Sequence, residues 1–178
     1  DYHCPVLSLP LAFGTALQTV PAQVPYLFAG AQAAERWRQR FENEARPRIG
    51  LVWYGSRGFR GDRYRSVPME AFAPLLMRDD VAWVSLQKMR PDGAVSEELT
   101  SRLVDCMDEV KDFADTAALI SALDMVVTVD TAVAHLAGAL GKPVWMLNRF
   151  NSEWRWMRGR NDSPWYPTAR LFRQPAPA

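Results

Sequence analysis

From residue 49 onward, short apolar runs rich in β-branched and aromatic residues alternate with helix-forming segments. This alternation limits the fold more than any other feature, because fully apolar runs are typical of strands buried on both faces of a parallel sheet. The pattern therefore predicts an α/β fold with a Rossmann-like parallel sheet and helices on both faces. Strands are predicted at residues 49–54, 81–86, 108–113, 125–129 and 144–147, with an edge strand at 170–172.

Helix-forming segments lie before and between these runs. Helices are predicted at residues 31–44, 69–78, 95–104, 115–123 and 131–140. Pro74 lies inside the second of them, so that helix is expected to kink or to begin later. Asp115 or Thr116 is expected to cap the helix that ends near Leu123. The first helix carries mixed charge and is expected to be short and exposed.

Residues 1–30 are apolar and proline-rich and show neither a helical nor a strand period. The sequence therefore predicts an N-terminal arm and linker helix over residues 1–45 and a Rossmann-like domain over residues 46–178, for which the resemblance described below implies nucleotide-sugar binding. Because the chain starts with Asp1 rather than Met, it is expected to be a fragment of something longer.

Charge and composition exclude several classes of protein. The chain has 178 residues, 48% of them hydrophobic, and a net charge of +1, which argues against disorder and against nucleic-acid binding by bulk electrostatics. No apolar run reaches the length of a membrane span. Two histidines and two cysteines without metal-ligand spacing predict no metal site. Two lone cysteines fit a reducing compartment, so a cytoplasmic location is expected, although one disulfide stays open.

One candidate site is the boundary between a predicted strand and helix at Asp130, Thr131 and Ala132. Ligands bind at the carboxyl ends of parallel strands, and the free N–H groups of a helix N-terminus favour phosphate. The small Ala132 lets a phosphate approach the backbone, and His135 is predicted on the same helix side as Thr131. Taken alone, Asp130 is more simply interpreted as a helix cap, and His135 as a residue that packs against the sheet. Taken together, the residues favour an anion site.

A second candidate is the loop over residues 55–66, which opens with Gly55 and Ser56. Guanidinium groups fit phosphate oxygens, and glycine lets the backbone come close to a ligand. The loop therefore predicts an anion site, with a solvated loop of scattered charges as the alternative. Its arginines are Arg57, Arg60, Arg63 and Arg65.

A third segment, residues 153–166, is rich in aromatic residues and arginine. Its aromatic faces could stack on a base or a sugar. For Trp165 and Tyr166 the simpler interpretation is favoured, in which they close over an edge of the core.

The stretch VTVDTAVAHLAGALGKPVWML, residues 127–147, resembles the nucleotide-sugar-binding half of two-domain GT-B glycosyltransferases. It is similar to bacterial heptosyltransferases, which carry D-T-(G/A)-x-x-H-L-A-A-A-L-x-K-P. It also looks like the C-terminal region of bacterial tetratricopeptide-repeat proteins with a heptosyltransferase-like domain, with matches at residues 3–13, 63–68 and 163–174. The resemblance implies the C-terminal half of a GT-B fold.

The resemblance also implies roles for particular residues. Asp130, Thr131 and Ala132 would hold the donor diphosphate at the helix N-terminus. Arg65 stands where the family often has a lysine that contacts the phosphates, and Val67 stands where it often has Trp.

Contacts to the donor base are implied loosely, near Gln87 and Lys88 and near residues 112–113. The predicted substrate-binding residues are therefore Gly55, Ser56, Arg63, Arg65, Gln87, Lys88, Asp130, Thr131, Ala132 and His135.

By this resemblance the intact protein is a hexosyl- or heptosyl-type glycosyltransferase that uses a nucleotide diphosphate sugar without a cofactor or metal. The catalytic base is expected in an N-terminal half that these residues do not supply, so the fragment alone is expected to bind donor and transfer nothing. Its expected partners are that half and tetratricopeptide repeats of the same chain, with no nucleic acid and no membrane span. Two alternatives stay open: a degenerate, non-catalytic scaffold beside the repeats, and an epimerase or other nucleotide-sugar enzyme on the same fold.

Overall fold

The computed structural model describes residues 3–56, 58, 60–88 and 96–176, and these form a parallel sheet of six strands in the order β3-β2-β1-β4-β5-β6. The order reverses between β1 and β4, the kind of switch point at which open α/β sheets bind ligands. The predicted Rossmann-like α/β architecture is confirmed. The strands are β1 (Arg48–Val52), β2 (Ala82–Ser85), β3 (Leu103–Asp105), β4 (Met125–Val129), β5 (Val144–Asn148) and β6 (Ala169–Arg173).

The helices of the described residues are short. They are α1 (Leu9–Ala12), α2 (Ala31–Arg40), α3 (Ala73–Leu76), α4 (Glu97–Thr100), α5 (Phe113–Ser121) and α6 (Ala132–Ala139). Single 3-10 turns lie at Val6–Ser8, Leu17–Thr19, Asp62–Tyr64, Met69–Phe72, Met107–Glu109 and Trp154–Trp156.

Two apolar clusters cover the two faces of the sheet, because successive strand residues point to opposite faces. In β1, Val52 packs into the cluster that holds α2, α5 and α6, whereas Leu51 faces the cluster under α3 and α4. Gly50 points to the same face as Val52, and a Cβ there would overlap the buried Leu86 side chain. Packing on both faces of the sheet thus holds the carboxyl ends of the central strands next to one another.

The helix predicted at residues 31–44 ends earlier, at Arg40, and one side of it is buried. Trp37 is 1% exposed and Phe41, one turn later, is also in the core. The expectation of an exposed helix was therefore wrong for this side, because the two aromatic residues pack with α5. The division of the chain at residue 45 stays a prediction.

The third strand was predicted in the wrong place. It spans Leu103–Asp105, inside the helix predicted at 95–104, while the strand predicted at 108–113 is a 3-10 turn followed by the start of α5. The reason is that β3 is an edge strand with Val104 and Asp105 exposed, so it carries no apolar run. Residue 95 lies outside the described residues.

Two helix starts also differ in detail from expectation. Asp112, rather than Asp115 or Thr116, caps α5, because its carboxylate accepts from the backbone N–H groups of residues 114 and 115. The helix predicted at 69–78 begins as a 3-10 turn and becomes α-helical at Ala73, which places Pro74 in the first turn. The expectation that it begins later is confirmed.

Most side chains of residues 3–30 are exposed, including large apolar ones. The last part of this segment touches the domain, where the N–H groups of Tyr26 and Leu27 both point to the carbonyl oxygen of Ala139. None of the described helices has the length and apolar character needed to cross a bilayer.

Candidate functional site

A cavity of about 470 Å³ opens at the carboxyl ends of β1, β2 and β4, at the switch point of the sheet. Loops and helix starts from four parts of the chain line it. The lining residues are Val52, Tyr54, Gly55, Ser56, Arg65, Leu86, Gln87, Lys88, Met107, Val110, Lys111, Asp112, Phe113, Thr116, Thr131, Ala132 and Val133. Seven of the ten predicted substrate-binding residues are among them.

The N-terminus of α6 forms one wall of the cavity. Thr131 is its N-cap residue in extended backbone, and within the described residues no side chain caps this helix. The hydroxyl of Thr128 donates to the carbonyl oxygen of Val129 (2.8 Å), so the Thr131 hydroxyl donates in the 3.1 Å contact with Thr128. The first turn of α6 therefore presents its backbone N–H groups and positive dipole end beside exposed Ala132.

Arg65 brings the loop after β1 to the end of β4. Its Nε donates to Oδ1 of Asp62 at 2.8 Å, and a terminal nitrogen donates to the backbone carbonyl of Asp130 at 2.8 Å. The side chain is only 14% exposed and lines the cavity. A cation therefore sits beside the N-terminus of α6, as the sequence predicted for an anion site.

Gly55 explains how the guanidinium comes so close to the backbone. A Cβ at this position would overlap both the Arg65 guanidinium and the Asp62 carboxylate. The N–H of Gly55 donates to Oγ of Ser66 (3.0 Å), and that hydroxyl donates to the second carboxylate oxygen of Asp62 (2.8 Å). The loop therefore folds around the carboxylate of Asp62. Asp62 was not among the residues predicted from the sequence.

Gln87 shapes the cavity through the backbone of β1. Its side-chain oxygen accepts from the N–H groups of Trp53 (3.1 Å) and Tyr54 (2.9 Å), and its side-chain nitrogen donates to the carbonyl oxygen of Tyr54 (3.3 Å). These bonds fix the chain immediately after β1. Gln87 therefore lines the cavity while its amide holds the wall in place.

Lys88 also lines the cavity. Its ammonium group donates to the backbone carbonyl oxygens of Met107 (3.3 Å) and Val110. The bonds connect the end of β2 to the segment that precedes α5. Lys88 therefore adds a positive charge to the lining, as does Lys111, the residue before Asp112.

The N-terminus of α5 faces the same cavity but differs from that of α6, because Asp112 already satisfies its first N–H groups. The next residue, Phe113, is 60% exposed and lines the mouth of the cavity. An exposed aromatic ring of this kind offers a stacking surface. The two helix starts therefore differ: at α6 no side chain of the described residues caps the helix, and at α5 a capped helix start presents an aromatic face.

His135, predicted to face the ligand with Thr131, lies outside the cavity lining. Its Nδ1 is 3.0 Å from the hydroxyl of Tyr166, and its ring stacks on Trp156 with centroids 5.1 Å apart. Burial lowers the pKa of His135, and burial together with a hydrogen bond to Tyr26 raises the pKa of Tyr166. The interpretation of Tyr166 as a residue that closes the edge of the core is confirmed.

Two other predicted residues also stand apart from the cavity surface. Arg63 is exposed and stacks over the ring of Tyr64, 4.5 Å from its centroid. Asp130 contributes a backbone carbonyl to Arg65 rather than a lining side chain. Arg57, another arginine of the loop, lies outside the described residues.

Within the part of the chain that the structure describes, no three His, Cys, Asp or Glu side chains lie close enough together to hold a metal ion. Both cysteines are free thiols, and burial raises the pKa of Cys106.

Comparison with known proteins gives a family match over part of the chain. The sequence model of "Glycosyltransferase family 9 (heptosyltransferase)" matches residues 110–174. This span contains α5, β4 and α6, and therefore both helix starts at the cavity. The loop that carries Arg65 lies before it.

Protein FlbA of Caulobacter vibrioides is 29% identical over 180 residues, which cover 97% of this chain and 30% of FlbA. The chain thus spans less than a third of this curated relative.

Two solved structures share the fold. A glycosyl transferase family 9 structure from Veillonella parvula matches with a TM-score of 0.57 and 13% identity, over 83% of this chain and 42% of that one. The ADP-heptose LPS heptosyltransferase II of E. coli matches with a TM-score of 0.53 and 20% identity, over 87% of this chain and 47% of that one. The chain therefore has the fold of these structures and carries, in residues 110–174, a match to the glycosyltransferase family 9 (heptosyltransferase) domain.

Proposed function

We propose that this chain is the donor-binding domain of a glycosyltransferase and that its cavity holds a nucleotide diphosphate sugar. The observation that carries the proposal is the N-terminus of α6, which no side chain of the described residues caps, beside Arg65 at the switch point of a parallel sheet. Backbone N–H groups, a helix dipole and a guanidinium together favour a diphosphate. The family 9 match over α6 supports the same function.

The two helix starts give the bound donor a direction. The diphosphate lies at α6, where the N–H groups are available, and the base lies toward α5, where Asp112 already occupies the helix terminus. There Phe113, Met107 and Val110 provide aromatic and apolar surface for a nucleobase. This orientation agrees with the expected place of the base contacts near Lys88 and residues 112–113.

Transfer of the sugar in the intact protein leaves negative charge on the departing diphosphate. Arg65 and the α6 terminus are placed to stabilise that charge. We propose that the acceptor site and the catalytic base belong to a second half of the protein, with tetratricopeptide repeats as further partners. A cytoplasmic location is part of the same proposal.

A second candidate is a non-catalytic scaffold, and one observation favours it. Several polar groups at the cavity, those of Gln87, Lys88 and Arg65, bind the protein's own backbone. A cavity that has become purely structural would show the same bonds.

Calorimetric titration of the protein with UDP, ADP, GDP, CDP and inorganic pyrophosphate separates the two candidates. For the donor-binding domain we expect one nucleoside diphosphate to bind more tightly than pyrophosphate, because the base adds stacking to the phosphate contacts. If neither the nucleotides nor pyrophosphate bind at millimolar concentration, the scaffold is favoured.

A further inference from the structure

The carboxylate of Asp62 forms an ion pair with Arg65, which lines the cavity. Its Oδ1 accepts from Nε of Arg65 at 2.8 Å, and the two side chains are 16% and 14% exposed. Because both groups are mostly withdrawn from water, solvent screens this pair less than it screens a surface pair. The positive charge of Arg65 is therefore largely balanced before any ligand arrives.

The loop also holds Asp62 in place independently of Arg65. Its second oxygen accepts from the hydroxyl of Ser66 at 2.8 Å, and the same hydroxyl accepts from the N–H of Gly55 at 3.0 Å. These bonds involve neutral groups, so they persist when Arg65 engages an anion. The negative charge of Asp62 consequently remains beside a bound diphosphate.

We propose that Asp62 is a built-in counter-ion that limits the affinity of the cavity for diphosphate. The inference rests on the proposed donor-binding function. A bound diphosphate shares Arg65 with Asp62, and the repulsion between the two anions weakens its binding. This arrangement suits a transferase, because the nucleoside diphosphate product then dissociates from the cavity faster.

The opposite role for Asp62 makes the opposite prediction. A carboxylate that merely oriented Arg65 toward the ligand would strengthen binding, so removing its charge would weaken binding. The variant Asp62→Asn separates the two roles, since the amide oxygen still accepts from Nε of Arg65 while the negative charge is gone.

The test is titration of the wild-type protein and Asp62→Asn with ADP, UDP and pyrophosphate. We expect the Kd of the ligand that binds to fall about tenfold in Asp62→Asn, the order expected for one unit charge in a partly solvated site. The gain should shrink as NaCl is raised from about 50 mM to about 500 mM, because salt screens charge.

Two control variants isolate the charge of Asp62. Asp80→Asn makes the same charge change in the exposed pair with Arg78 and should leave the Kd within about twofold. Ser66→Ala removes the second hydrogen bond of Asp62 but keeps its negative charge, and should tighten binding clearly less than Asp62→Asn does. If Asp62→Asn loses cooperative thermal unfolding, Asp62→Ser replaces it, since it removes the same charge.

Each outcome decides the inference. Tighter, salt-sensitive binding in the Asp62 variant alone supports the counter-ion. Unchanged or weaker binding in that variant, or equal tightening in Ser66→Ala, overturns the counter-ion and leaves the donor site standing if the wild type binds. If no variant binds any of the three ligands, the proposed function and the counter-ion both fall.

Discussion

The guanidinium of Arg65 donates to the backbone carbonyl of Asp130 at 2.8 Å, which joins the loop after β1 to the end of β4 across the switch point of the sheet. The bond spans 65 positions in sequence. It places a side-chain cation next to the first turn of α6. The loop and the helix therefore line one cavity, although the family match covers only the helix.

The first prediction concerns this cation. In Arg65→Ala we expect nucleoside diphosphate affinity to fall at least about tenfold, because a charge-assisted hydrogen bond to phosphate is lost. Arg63→Ala is the matched control, since it removes the same charge from the same loop at an exposed position over Tyr64. Its affinity should change less than about twofold. Calorimetry measures both, and equal losses in the two variants would show that only the net charge of the loop matters.

The second prediction concerns the base. Replacing exposed Phe113 with Ala should weaken nucleoside diphosphate binding about tenfold while leaving pyrophosphate binding unchanged, because stacking acts on the base alone. Phe28→Ala removes an exposed ring outside the cavity lining and is the control. Parallel loss of pyrophosphate affinity in Phe113→Ala would contradict the proposed orientation of the donor.

The sequence predicted the central elements of the fold because their signals are local. The apolar run of β4 has the bounds Met125–Val129 in both prediction and structure, and Gly141 and Pro143 end α6 where expected. Edge strand β3 escaped prediction because a half-exposed strand of three residues has no apolar run. Local pattern thus identifies the buried strands and the edge strand β6, predicted at 170–172, but misses β3, whose three residues are half-buried or exposed.

The position of the cavity in the fold could be predicted from the sequence, but its hydrogen bonds could not. Thr131 and Ala132 follow from the strand-to-helix boundary alone. The bonds of Gln87 to the backbone after β1, and of Lys88 to the segment before α5, join residues about 20 to 35 positions apart and depend on the folded sheet. Asp62 was missed because its role arises from two neighbours, Arg65 and Ser66, that come together only when the loop closes.

The third prediction is a pH dependence of stability that comes from His135. Burial is the largest cause of its lowered pKa; the charge of Arg155 also lowers it, whereas Asp130 and Glu153 raise it. The folded state therefore keeps His135 neutral at a pH where the unfolded chain, with the ordinary value of 6.5, takes up a proton. The contribution of neutral His135 to the free energy of unfolding is fully present above pH 6.5. It is lost as the pH falls from 6.5 toward the pKa of His135 in the folded state.

Thermal unfolding at about pH 7.5 and about pH 5.5 measures the effect, which is at most about 1.4 kcal/mol per pH unit. His135→Phe keeps a ring against Trp156 and should lose part of the pH dependence. His3→Asn changes the other, exposed histidine and should retain it in full. An identical pH dependence in wild type and His135→Phe would exclude this origin.

The fourth prediction tests the packing that closes α6 against the C-terminal aromatic residues. A Cβ on Gly138 would lie 2.6 Å from Cγ of Tyr166, whose hydroxyl contacts His135. Alanine gains about 1 kcal/mol over glycine as a helix former, but an overlap this close with a ring costs about 2–3 kcal/mol, so we expect Gly138→Ala to lower the free energy of unfolding by about 1–2 kcal/mol. Urea unfolding measures it. Gly58→Ala is the control, because the nearest atom that its added Cβ would meet, Oγ of Ser56, is 3.8 Å away, and this variant should not lower the free energy of unfolding. A Gly138→Ala protein as stable as the wild type would show that the Tyr166 ring does not pack on α6.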